Sequence, residues 1–408
     1  MSPRGGAAPS RDRRTREQSR RESPLSFVSL WGLDPSIAYL NHGSFGACPT
    51  DVLAAQAALR AEMEREPVDF LSGSLRGRID AARAQVASFL GADPADLVFV
   101  PNATAGVNAV LRSLAFEPGE EILVTAHTYA ACRKTVEYVA ARSGARMVTA
   151  PLPFPCRDAE AAAAAVLGAV SARTRLALID HVTSPTALIL PVKRLIETLD
   201  ARGIDTLVDG AHAPGMVPLR LSELGAAYYT GNAHKWLCAP KGAAFLHVRR
   251  DRQAGLHPNV ISHGYTLGFH AEFDWTGTSD PTPWLCIPEA LRFMGGVLPG
   301  GWHALMSVNH ALVVEARDLL LRTLELEAPC PEDMIGSMAS IPLPRAAAGS
   351  AAHALDPKGL HDWLRERGVE AWLHPHPVPL LRLSAQLYNE ISQYERLAQL
   401  IAEALRGR

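Results

Sequence analysis

A lysine on a polar turn between two apolar runs is the residue with the sharpest chemical meaning in this sequence. It is Lys235, in Gly231-Asn-Ala-His-Lys-Trp-Leu-Cys-Ala-Pro-Lys-Gly242. A turn lysine is ordinarily solvated. Here Trp236 and Leu237 are apolar, His234 is a potential cation, and Gly231 and Gly242 let the backbone pack closely or turn sharply. An amine held among apolar and cationic neighbours loses its proton more readily and attacks carbonyl carbon. That is how a lysine carries pyridoxal 5'-phosphate. The cofactor also needs a carboxylate against its ring nitrogen, and Asp209 ends the buried-type strand Thr206-Leu-Val-Asp209, 26 residues upstream of Lys235. A third feature completes a cofactor set. Strand Leu97–Val100 leads through Pro101-Asn-Ala-Thr-Ala-Gly106 into a helix, and free amides converge at such a helix start to hold an anion. Ala103 and Thr104 are placed there to hold the phosphate, although Thr104 also suits an N-cap.

These residues require a scaffold that brings strand ends together. Strands are expected at Leu97–Val100, Glu121–Thr125, Arg146–Thr149, Arg175–Asp180 and up to Asp209, alternating with helices. That alternation predicts a mostly parallel sheet with helices on both faces. Ligands of such sheets bind at the carboxyl ends of the strands, where Asp209 and the turn holding Ser184 fall. Thr50 is expected to cap a helix running to about Glu66, which Pro67 closes. From about Leu291 the pattern changes to long helices. A Pro-rich stretch, strand Leu380–Leu383 with Arg382, and a final helix from Glu390 follow. The expected division is a basic, disordered tail over 1–23, an arm with part of the small domain over 24–60, a large cofactor-binding domain over 61–291 and a small domain over 292–408.

The segments Val208-Asp-Gly-Ala-His-Ala-Pro-Gly215 and Gly231–Gly242 together resemble the class V aminotransferase superfamily, and within it the isopenicillin N epimerase-like group. Leu40-Asn-His-Gly-Ser-Phe-Gly46, Glu66-Pro-Val-Asp-Phe70, Asn102-Ala-Thr104, Gly277-Thr-Ser-Asp280 and Arg382-Leu-Ser-Ala-Gln-Leu-Tyr-Asn389 extend the resemblance from about Tyr39 to about Ala402. It implies the α/β fold of type I pyridoxal-phosphate enzymes and a homodimer with shared active sites. It also implies roles. Arg382 grips a substrate carboxylate, with Asn41, His42 and Ser44 as further substrate contacts. Tyr129, preferred over His127, stacks on the cofactor. His212 lies near its phenolic oxygen, Ser184 contacts that oxygen or the substrate, and Asn232 and His234 lie near its phosphate. Thr278 reaches the neighbouring subunit's phosphate.

Composition narrows the partners. Forty basic and 42 acidic residues give a net charge of −2, which offers nothing to nucleic acid. The six cysteines lack CxxC or metal-type spacing and read as reduced thiols of a cytoplasmic protein; Cys132 reads as structural. No metal is expected, and no apolar run approaches a membrane span. The expected activity begins with Lys235 as general base at the α-carbon of an amino acid, while Asp209 keeps the cofactor ring protonated. Epimerisation is the leading outcome, then β-elimination with carbon–sulfur cleavage, then transamination. Desulfuration needs a cysteine on the loop ahead of Arg382, and His374-Pro-His-Pro-Val-Pro-Leu-Leu-Arg382 has none. A cofactor-binding pseudo-enzyme is the non-catalytic alternative, which the Lys235, Asp209 and Arg382 set opposes.

Overall fold

The structure, a computed structural model, describes residues 27–344, 356–375 and 378–406. The expected basic tail over 1–23 lies outside them. Seven strands form the main sheet: β1 (Leu97–Val100), β2 (Glu121–Thr125), β3 (Arg146–Ala150), β4 (Thr174–Asp180), β5 (Asp205–Asp209), β6 (Tyr228–Asn232) and β7 (Ala244–Val248). Their order is β1-β7-β6-β5-β4-β2-β3. β7 pairs antiparallel with both neighbours, and the other contacts are parallel. β5 and β6 are buried at every position, as a sheet covered on both faces requires.

Local chemistry explains the helices that matter to the site. α1 (Thr50–Arg65) begins after Pro49, and Thr50 does not cap it: the Thr50 hydroxyl donates instead to Leu30 O at 3.2 Å. α2 (Leu75–Leu90) buries Leu75, Ile79, Val86 and Leu90 on one face. α3 (Ala103–Ser113) starts at Asn102, whose side chain accepts from Ala105 N at 2.8 Å, so the cap falls to Asn102 and leaves Thr104 in the first turn. α4 (Ala130–Ser143) follows the β2 turn with Tyr129 at its cap position.

The C-terminal part carries a smaller antiparallel sheet. Its strands are β8 (Met338–Pro342), β9 (Trp372–Pro375) and β10 (Pro379–Ser384), in the order β9-β10-β8. Helices α5 (Gly301–Leu324) and α6 (Ile391–Arg406) pack together beside it. The start of the chain is woven into this part. Ala38–Tyr39 pairs in parallel with Val369–Glu370, and Trp31 is buried edge-on against Tyr388. Among the described residues no helix is long and apolar enough to cross a membrane, and no group of His, Cys, Asp or Glu is arranged to hold a metal ion.

Candidate active site

A cavity of about 490 Å³ opens at the carboxyl ends of β4, β5 and β6. Lys235, Asp209, Asp180, His212, Asn232, His234, Tyr129, Ser184, Ser44, Ala103 and Thr104 all line it. Residues far apart in sequence thus converge where open α/β sheets bind ligands.

Lys235 sits on the turn after β6, its amine 3.2 Å from His212 Nε2. Burial pushes that amine down from its ordinary value to about 7, and the Arg382 cation adds to the effect. The turn is locked from below. His42 Nε2 donates to Lys235 O at 3.0 Å, which leaves His42 Nδ1 to accept from the Tyr388 hydroxyl at 2.7 Å. Gly46, at φ 70°, lies so close that a Cβ there would fall 2.1 Å from His234 O and 2.9 Å from Lys235 Cα. Only glycine both adopts that backbone and leaves this room.

The expectation that His42 contacts substrate is corrected here. Both its ring nitrogens are engaged beneath Lys235, and burial lowers its pKa to about 3, so it stays neutral and braces the turn. Asn41 is likewise turned from the cavity. Its Nδ2 donates to Glu370 Oε1 at 3.0 Å, and its Oδ1 accepts from the Ser44 hydroxyl at 2.6 Å. Of that trio, Ser44 alone lines the cavity.

Asp209 lies at the cavity floor. One carboxyl oxygen accepts from Ala211 N at 3.0 Å and the other from the Cys132 thiol at 3.2 Å. Cys132 is therefore more than a packing residue. Asp180, on the neighbouring strand, is the direct register partner of Asp209. Register partners in a parallel pair project to the same side of the sheet. Burial, and then the Asp209 charge, pushes the Asp180 carboxyl well above its usual range. Asp209 is raised as well, chiefly by burial, against its two hydrogen bonds, which pull the other way. Asp180 is a cavity residue that the sequence reading passed over. The signal was available in Leu178-Ile-Asp-His181, which ends a buried strand on an aspartate as Leu207-Val-Asp-Gly210 does.

At one end of the cavity, Ala103 N donates to Asn232 Oδ1 at 2.8 Å, tying the α3 start to the end of β6. His234 faces the same space, its Nδ1 donating to Ala243 O at 3.0 Å and its pKa lowered to about 4 by burial and the nearby Lys235 cation. At the other end, Arg382 stands one layer behind the cavity wall. Its Nη1 donates to Ser184 O at 2.7 Å and its Nη2 to the Ser44 hydroxyl at 3.1 Å. Burial lowers the guanidinium to about 9. Tyr129 lines the cavity and is 44% exposed, whereas His127 is buried, with Nδ1 3.0 Å from the Thr186 hydroxyl. Thr278 lies on the exposed surface and does not line this cavity.

The donor set fits pyridoxal phosphate. A carboxylate at the floor can hold a protonated ring nitrogen, and a helix start beside Asn232 and His234 can receive a phosphate. A buried amine with a lowered pKa lines the same cavity. His212 Nδ1 is buried without a hydrogen-bond partner, and such an orphan is satisfied by a bound group.

The comparisons agree with this geometry. The family model described as aminotransferase class-V matches residues 50–361. Isopenicillin N epimerase of Streptomyces clavuligerus is 38% identical over 397 residues, covering 92% of this chain and 96% of that one. A putative L-cysteine desulfhydrase of Oryza sativa subsp. japonica is 36% identical over 328 residues, covering 76% of this chain and 68% of its own length. Among solved structures, a cystine C–S lyase in complex with cysteine persulfide superposes with a TM-score of 0.76 at 20% identity, covering 91% of this chain and 98% of the lyase. A cysteine desulfurase of Escherichia coli gives 0.75 at 21% identity, covering 94% and 98%. These two likenesses speak for the fold, that of type I pyridoxal-phosphate enzymes.

Proposed function

The chain belongs to the aminotransferase class-V family and is a pyridoxal-phosphate-dependent enzyme, and from that premise we propose that it epimerises the α-carbon of an amino acid or amino-acid-derived substrate. One observation carries this reading. Lys235 and Tyr129 line one cavity from turns on either side of the strand ends that hold Asp209 and Asp180, in the strand order β6-β5-β4-β2. Inversion needs a group that takes a proton on one side and a group that returns one on the other.

When bound, pyridoxal phosphate draws electrons from the α-carbon and so makes its proton removable. Lys235 would hold the cofactor and would serve as the base at the α-carbon, its amine lowered to about 7 by burial. Asp209 keeps the ring nitrogen protonated, aided by Ala211 N and the Cys132 thiol. Burial holds the Tyr129 phenol above its ordinary value, so it carries a proton to give, and its partial exposure lets it regain one from water. Arg382 receives the substrate carboxylate in exchange for its contacts with Ser44 and Ser184. The Thr104 hydroxyl and the Asn232 amide would take the phosphate, with Ala103, held by Asn232 Oδ1, and the neutral His234 walling the space around it, and Ser184 and His212 would flank the phenolic oxygen.

A second reading is β-elimination at a carbon–sulfur bond, which relatives named L-cysteine desulfhydrase support at similar coverage. It needs Lys235 but no second proton donor. Desulfuration through a persulfide finds no support, since all six cysteines are buried and none lines the cavity. We further infer a homodimer with Thr278 reaching the neighbouring site, working in the cytoplasm. Exposed Phe45, Val68, Tyr265 and Leu267 are the kind of apolar surface a second copy covers. Light scattering, and mixing of inactive Lys235→Ala and Thr278→Ala subunits, test this: a monomer, or no recovered activity, would count against it.

The deciding experiment incubates holoenzyme in deuterated water with a panel that includes isopenicillin N and L-cysteine. Inverted substrate with α-deuterium supports epimerisation. Pyruvate with ammonia and sulfide would replace it with elimination, and keto acid with aminotransfer.

A further inference from the structure

Arg382 is a buried cation with no counter-ion beside it among the described residues. It is 1% exposed, and among the described residues the groups that act on its charge are the Tyr129 and Tyr39 phenols, not a carboxylate. Its two terminal nitrogens donate to neutral oxygens of Ser184 and Ser44, and its Nε is buried without a hydrogen-bond partner. A guanidinium removed from water at this cost needs compensation. One neighbour supplies it. Trp372 on β9 is the direct cross-strand partner of Arg382 on β10, and the guanidinium carbon lies 4.2 Å from the centre of the indole ring. Directly paired residues of an antiparallel ladder project on the same face, so the strand pairing itself delivers the ring to the cation. Trp372 in turn stacks with His374, two residues along its strand, at 4.8 Å and 22°.

A cation over an indole face is attracted by the ring quadrupole, more strongly when desolvated. The ring face has no directional lone pair, so it does not occupy the donors that a carboxylate would use. Aspartate or glutamate in its place would satisfy Arg382 and compete with the substrate.

We propose that Trp372 is a positioning residue for carboxylate capture: its indole face takes the place of a counter-ion behind Arg382 and keeps the guanidinium fork available to a substrate carboxylate. The proposal rests on the reading of Arg382 as the carboxylate-binding residue.

The test uses holoenzyme and compares Trp372→Leu, which keeps bulk without a π face, with Trp372→Phe, which keeps a π face. Trp372→Met substitutes for the leucine variant should that one fail to fold. Binding of butyrate, a carboxylate without an amine, is measured by calorimetry beside KM and kcat for the amino acid substrate. Trp372→Leu is expected to weaken butyrate and raise KM by about 3- to 30-fold, with kcat falling less, while Trp372→Phe recovers most of the loss. Equal losses in both variants would mean packing alone and overturn the proposal. No loss in either, with Arg382→Lys still impaired in butyrate binding, would overturn it while leaving the role of Arg382 intact. Unchanged butyrate binding in Arg382→Lys would remove both.

Discussion

Lys235 and Arg382 are both buried basic residues beside one cavity, and burial acts on them in the same direction. The amine falls to about 7 and the guanidinium to about 9. Their starting values differ, and so do the results. At neutral pH a large share of the amine is unprotonated and able to attack or take a proton, while the guanidinium keeps its charge. Their supports differ to match. Lys235 rides on a turn braced by His42 and crowded by Gly46, with a neutral imidazole beside its amine. Arg382 lies on a strand, pinned by two neutral oxygens and an indole face. One desolvated environment thus suits the amine to the proposed role of base and the guanidinium to that of anion clamp, because the side chains, rather than the surroundings, set where each ends.

The comparison breaks most completely at Lys235. Lys235→Ala should reduce turnover by at least about 10⁴-fold, since the proposed function makes one residue both attachment point and base. The purified variant should also lose absorbance at the visible–ultraviolet border. A lysine adduct still trapped by borohydride in that variant would assign the role elsewhere. Arg382→Lys comes next. A lost bidentate, charge-assisted contact costs about 2–4 kcal/mol, or on the order of 30- to 1000-fold in kcat/KM. Cofactor retention should not change, and unaltered turnover of an α-amino acid would take Arg382 out of the site.

Tyr129→Phe sharpens the division between the two sides of the cofactor. It should slow epimerisation by about 10²-fold while proton exchange with retained configuration, catalysed by Lys235, continues. Equal loss of both rates would deny Tyr129 a role as proton donor. The pH dependence tests the lysine itself in apo protein. Its folded pKa of about 7 lies below the ordinary lysine value of 10.5, so between those values the unfolded chain binds more protons than the folded one. Stability contributed by this group therefore rises with pH across that window. Denaturant titrations should show wild type gaining on Lys235→Met from pH 7 to 9.5, and a constant gap would refute the lowered pKa. The smallest effect belongs to Cys132. Cys132→Ala removes a donor to Asp209 and should lower kcat/KM by about 3- to 10-fold, while Cys132→Ser, which keeps one, should stay within about 2-fold.

Legibility in the sequence followed the range of the interactions. Lys235, Asp209 and the Asn102–Thr104 turn were readable because each is set by its own strand and the turn after it. The alternation of strands and helices likewise foretold a mostly parallel sheet with helices on both faces. What escaped depends on contacts between distant segments. His42 looked like a substrate contact from its glycine-rich turn, yet its place is decided by Lys235 and Tyr388, 193 and 346 positions away. Asp180 matters because β4 lies beside β5, and Trp372 because β9 pairs with β10 in one register. Thr50 lost its cap to a carbonyl twenty residues back. Local pattern carries no record of such partners.

The brace beneath Lys235 has a consequence for how the protein is made. Residues 38–46 leave the ribosome more than 300 positions before their partners: Tyr39 O accepts from Asn389, the 38–39 strand pairs with 369–370, and His42 is held by Tyr388. All seven strands of the main sheet have been synthesised once residue 248 is out, with Asp209 and Lys235 already in place along it. The nascent chain then carries Lys235 on a turn whose supporting floor waits for another 140 or so residues. Firm seating of the Lys235 turn is accordingly tied to synthesis through Tyr388, and a polypeptide cut short before that residue should be expected to present the amine without the means to hold it still.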